Sequence, residues 1–128
     1  MTHYEFTAGG GLIAHDHMNV PGTTGLTIEL STPMHYEGAR ICGKLADTDL
    51  GAAIVMRDGS PANDADAASA RQIFDAMRAP IAAKLMCLDY SPVGDQVVIA
   101  TTLDGQPMNS ATLWAKWIKP DEGYELTP

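Results

Sequence analysis

The chain has 128 residues, 45% of them hydrophobic and 19% charged, so it can bury one core and belongs with globular proteins, not disordered or fibrous ones. Its formal net charge is −8, and its eight Lys and Arg residues are scattered with no two adjacent, which argues against a phosphate-binding surface and hence against nucleic acid as a partner. The longest apolar runs are too short to span a bilayer, and the N-terminal stretch lacks the basic start and apolar centre of a signal peptide; the expectation is a cytoplasmic protein with no membrane contact.

Strand-like segments come first. "HYEFTA" alternates in polarity and "GLIAHDHMNV" can do so. After "PGTT", "GLTIEL" sets Leu26, Ile28 and Leu30 on one face and Thr27 and Glu29 on the other. "GARICGKL" reads as a half-buried strand, with Ala39, Ile41 and Leu45 opposed to Arg40, Cys42 and Lys44. "GAAIVMR" is apolar on both faces and reads as a central strand, ended by "DGSP".

Residues 64–79 carry the helical signal. Asn63 or Asp64 can cap the first turn, and Ala70, Ile73, Phe74 and Met77 form an apolar stripe expected to face the sheet. Pro80 lacks an N–H and must end or kink this helix. Ile81, Leu85 and Leu88 nonetheless continue the stripe, as a kinked helix or a second short segment would. "QVVIATTL", the turn "DGQPMN" and "SATLWAKWIK" then read as a C-terminal β-hairpin. The order predicts one α+β domain over residues 1–119, an antiparallel sheet packed against one main helix, followed by a polar tail over 120–128 that a partner would have to order.

Cys42 and Cys87 are the only cysteines and form no CxxC pair, so they read as two buried free thiols of a reducing compartment, with a disulfide between them the less favoured alternative. "AGGGLIA" satisfies G-x-G-x-x-A, but it runs into a poor helix former and reads as a turn or bulge, not a dinucleotide site. No serine stands in a G-x-S-x-G context.

The histidines carry the sharper chemistry. On a strand His15 and His17 share a face, so they can share a divalent metal ion, with His35 or Glu29 as third ligand and Asp16 no closer than the outer shell. A tight hairpin centred on Pro21-Gly22 sets His17 opposite Leu26 and leaves Glu29 on the wrong side; a loop one residue longer or shorter on one arm reverses this. His3 has no ligand-spaced neighbour and reads as dispensable. At the other end, Leu113, Ala115 and Trp117 form an apolar face expected to meet the helix. Trp114 and Ile118 lie on the mixed face and are candidate partner-contact residues.

With no complete catalytic motif, the leading expectation is a small acidic, non-enzymatic, cofactor-free domain that binds another protein or itself. It could act as an inhibitor, an accessory factor or a self-assembling subunit, of the kind phage or mobile elements carry. The alternatives are a metal-dependent enzyme using His15 and His17, and a small-molecule binder with its pocket between helix and sheet.

Overall fold

The computed structural model describes residues 1–108 and 113–119. The strands are β1 (Thr2–Phe6), β2 (Leu12–Asn19), β3 (Leu26–Glu37), β4 (Arg40–Gly43), β5 (Ile54–Arg57), β6 (Ser60–Pro61), β7 (Met86–Val93), β8 (Gln96–Leu103), β9 (Gln106–Pro107) and β10 (Leu113–Ala115). One helix, α1 (Asp64–Arg78), separates β6 from β7. The strands make one antiparallel sheet in the order β1-β2-β3-β4-β7-β8-β10, with β5 and β6 branching from β3 and β9 pairing with β8. The architecture is α+β and dominated by its sheet. Among the described residues no helix is long and apolar enough to cross a membrane.

The fold turns on β3. Along it Leu26, Ile28, Leu30, Thr32 and Met34 are all buried, an inward row set by the period of two. One edge of β3 pairs with β2 from Thr27 to Met34. The other edge forks: Leu26–Glu29 pairs with β5 and His35–Glu37 with β4. Between the two branches sits a 3-10 turn, Leu45–Asp47, whose flanking Thr48 hydroxyl bonds that of Thr32 at 2.7 Å in the interior. Arg78 of α1 donates to the Leu45 and Thr48 carbonyls and so ties the helix to the fork.

The fork creates two cores. The first gathers Val20, Leu26, Ile28, Leu30, Ala53 and Val55 beneath Ala70 and Phe74 of α1. The second gathers Leu12, Ala14, Met34 and Ile41, flanked by Tyr4, Met86, Leu88 and Tyr90, and among the described residues no helix lies over it. Gly43 lies at their junction, where a Cβ would stand 2.8 Å from the Pro33 carbonyl oxygen; only glycine lets β4 come this close to β3.

Asn63 caps α1 by accepting from the Asp66 N–H, as its sequence predicts, and Ala79 closes it just before Pro80. Met77 differs from expectation: it is 54% exposed, so only Ala70 and Phe74 of the stripe are buried, with Ile73 packed at their margin. The stripe also does not continue past Pro80 as helix. Met86–Leu88 pairs with β4 as strand, because that alternation places Cys87 inward. "GAAIVMR" likewise is no central strand. β5 lies between β3 and two residues of β6, with Val55 buried and Ile54 55% exposed. The tight turns beyond β5 and β8 use Asp58-Gly59 and Asp104-Gly105 with positive φ throughout, the backbone two-residue hairpins require.

The expectation of two free thiols is overturned. Cys42 and Cys87 stand directly opposite each other on β4 and β7 and form a disulfide. Neither spacing nor local sequence announces this, since the pairing joins residues 45 apart. Of the expected C-terminal hairpin, β10 pairs antiparallel with Val97–Ile99 of β8. Residues 109–112 and the polar tail 120–128 lie outside the described residues.

Phe74→Ala should destabilise the protein by about 3–5 kcal/mol in urea unfolding, while Met77→Ala should cost less than about 1 kcal/mol. Equal losses would place both side chains in one environment and contradict this packing. Protein purified without reductant and unfolded in denaturant should show no reactive thiol, and reduction should lower its stability by about 2–4 kcal/mol. Two titratable thiols in the unreduced chain would refute the cross-strand bond.

Candidate functional site

Two surfaces gather the side chains with chemical potential. The larger is a cleft of about 890 Å³ at the uncovered end of the second core. Its walls come from β1 (Tyr4, Phe6), the β3–β4 turn region (Tyr36, Ile41), β7 and β8 (Tyr90, Ile99) and the segment after β10 (Lys116, Trp117, Ile118). Cavities of about 300–1,000 Å³ with mainly apolar walls are the usual size of ligand sites. The sheet curls so that β1 approaches β7, and the Tyr4 and Tyr90 hydroxyls meet in a hydrogen bond at the cleft floor. Their rings meet edge to face, and Trp117 leans on Tyr90 with ring centroids 5.7 Å apart. Burial, and next the bond to Tyr90, push the Tyr4 hydroxyl far above the ordinary tyrosine range; burial also pushes Tyr90 up. Both act as neutral donors and acceptors, not as bases.

Trp117 was expected in the core but is 62% exposed, because β10 ends at Ala115 and strand alternation does not carry through to residue 117. Trp114 is exposed as expected; Ala115, its neighbour on β10, lines the cleft, so Trp114 projects from the other face. Ile118 is half-buried and lines the cleft. The interval between α1 and the sheet holds a smaller cavity of about 220 Å³, with an apolar lining and Asp16 and Arg78 among its walls.

The second surface is the outer face of β1, β2 and the first part of β3. The β2–β3 register pairs His17 with Glu29 and His15 with Ser31, so the longer loop prevails and Glu29 does share the histidine face. His3 stands directly opposite His15 on β1, and their rings stack with centroids 4.5 Å apart. His15 is held from both sides: its Nδ1 lies 2.9 Å from Ser31 Oγ and its Nε2 lies 3.2 Å from a Glu5 oxygen. His35 is not brought to this patch. It lies farther along β3, opposite Cys42, with its Nε2 3.2 Å from Glu37. Asp16 points to the other face and accepts from the Thr2 hydroxyl. Sequence reasoning missed Glu5, Ser31 and His3, all supplied by neighbouring strands; only the strand register could have found them.

Among the described residues the one group of three candidate ligands with donor atoms within 4.8 Å of one another is Glu37, Cys42 and Cys87, and its two sulfurs are bonded to each other. No family model matches the chain, and no curated protein or solved structure is similar to it.

The tyrosine pair sets a sign for alkaline stability. A hydroxyl whose pKa is raised on folding stabilises fully below its unfolded value of 10.0 and loses that contribution as pH rises beyond it. Urea unfolding should therefore show a drop in stability as pH rises above about 10 that shrinks in a Tyr4→Phe, Tyr90→Phe double variant. An identical drop in the variant would remove the pair as its source.

Proposed function

We propose that the protein is a non-enzymatic binding domain whose aromatic cleft receives an apolar segment of a partner protein. One observation carries this reading: among the described residues the second core stays open, with Phe6 71% exposed and Trp117 62% exposed beside the cleft. Large apolar side chains left in contact with water are costly unless something covers them, and aromatic residues around a recess are what protein interfaces use as anchors. The net charge of −8 favours a partner with Lys and Arg near its apolar anchor and would speed its approach. Ile118 extends this contact beyond β10, while Trp114, on the opposite face of that strand, offers a separate exposed aromatic contact. Inhibitor, accessory factor and self-assembling subunit, of phage or mobile-element type, all fit this description.

Two further readings go with it. The Cys42–Cys87 bond supports a protein that works in an oxidising setting, outside the reducing cytoplasm that the isolated cysteines suggested. The size of the cleft also suits a small apolar molecule as a second reading.

Selection of a displayed random-peptide library on the immobilised protein tests the leading reading. Peptides with an apolar or aromatic anchor flanked by Lys or Arg should enrich, and the same selection on Phe6→Ser, Trp117→Ser protein should lose them. Trp117→Ala alone should weaken the best peptide by about 2 kcal/mol or more with the fold intact. No enrichment, or enrichment indifferent to the double change, would reject the cleft as a protein-binding site.

A further inference from the structure

We propose that the outer face of β1 and β2 is a binding site for a divalent transition metal ion of the zinc class, with His15 Nε2, a Glu5 carboxylate oxygen and His3 as ligands. Imidazole and carboxylate donors in a set of three, with a further position open to water, suit such ions. The central pair already has the right span. Two donors each about 2.0–2.1 Å from a tetrahedral ion lie about 3.3–3.4 Å apart. Glu5 Oε2 and His15 Nε2 are 3.2 Å apart.

The supporting shell is present as well. Ser31 Oγ lies 2.9 Å from His15 Nδ1, and as the ion binds it can accept the proton there while the Nε2 lone pair turns to the metal. Without metal, a proton on Nε2 donated to Glu5 satisfies this pair, and a bound metal ion takes that proton's place. The imidazole is anchored: only 16% of the His15 side chain is exposed, against 65% for Glu5, which gives the ion an open approach. His3 and Glu5 are two apart on β1 and share its outer face, as strand alternation requires.

His3 completes the set by turning. Its ring now stacks flat on His15, and the three donor groups do not yet lie within 4.8 Å of one another. Rotation of this exposed side chain about its χ angles brings a nitrogen edge-on to the ion. No Lys or Arg stands in the three rows formed by Glu5–Ile13–Pro33, His3–His15–Ser31 and Met1–His17–Glu29, and the Met1 α-ammonium in the last of them donates to the His17 carbonyl. His17 and Glu29 occupy the neighbouring row and are not ligands here, nor is His35, which is bonded to Glu37.

Calorimetric titration of untagged full-length protein with zinc chloride tests the site. One zinc per chain should bind with a micromolar Kd, and cobalt(II) in its place should give visible absorption of a four-coordinate centre. His3→Ala, Glu5→Gln and His15→Ala should each weaken zinc by roughly tenfold or more, while His17→Ala and His35→Ala should leave the Kd unchanged. Glu5→Gln keeps a hydrogen-bonding side chain against His15, so its loss of zinc reports on the ligand and not on the fold; circular dichroism checks the others. No binding by the unaltered protein at millimolar zinc would overturn the proposal. So would a wild-type Kd in any of the three ligand variants, or loss of zinc in His17→Ala.

Discussion

Pairing along β3 is the constraint on which the rest of the molecule depends. The strand runs from Leu26 to Glu37, longer than either branch that shares its second edge. A strand that serves one neighbour on one side and two on the other divides the space beneath it. One helix of fifteen residues covers one of the two resulting cores. Among the described residues the other is closed only by the curl of the sheet and the Tyr4–Tyr90 bond, and it opens into the aromatic cleft. The cleft therefore follows from having more sheet than helix to cover it.

The same register that buries Ile28, Leu30 and Thr32 lays His15, His17, Glu29 and Ser31 along the outer face. A slip of one residue between β2 and β3 would exchange the two sets, exposing the core row and burying two imidazoles. Core and polar patch are thus two sides of one pairing. Burial of the apolar row stabilises the register, and the outer row is carried with it. This separates the histidine patch from the cleft in origin: the patch is fixed by the covered core, whereas the cleft exists because the other is uncovered.

What could be read from the sequence was local. The helix was legible because Asn63, Ala70, Phe74 and Pro80 mark its start, inner face and end within one stretch. The strands β1, β2 and β3 were legible through alternation, although the continuation of β3 through Pro33 to Glu37 was not. The residues that sequence reasoning misplaced depend on partners far along the chain. Leu88 continues a helical stripe on paper, but pairing with Ile41 makes it strand. Cys42 and Cys87 meet only because β4 and β7 are neighbours. Glu5 and Ser31 reach His15 from two different strands, and Trp117 lies beyond the end of the strand whose alternation was extended to it. The candidate metal ligands His15, His17 and Glu29 were placed on one face only once the β2–β3 loop length was known.

The bond between Cys42 and Cys87 also changes what kind of object lies between them. β4 and β7 are adjacent strands, so the 3-10 turn, β5, β6 and α1 together form an excursion that departs from β4, adds a branch of the sheet beside β3 and returns next to its point of departure. With its two ends joined by sulfur, that excursion is a covalent ring carried on the sheet. A single cut of the backbone anywhere within it would leave both fragments attached, and the Phe74 core would keep them docked. The part of the protein that holds the only helix among the described residues is therefore the part whose halves a break in the chain would leave covalently joined.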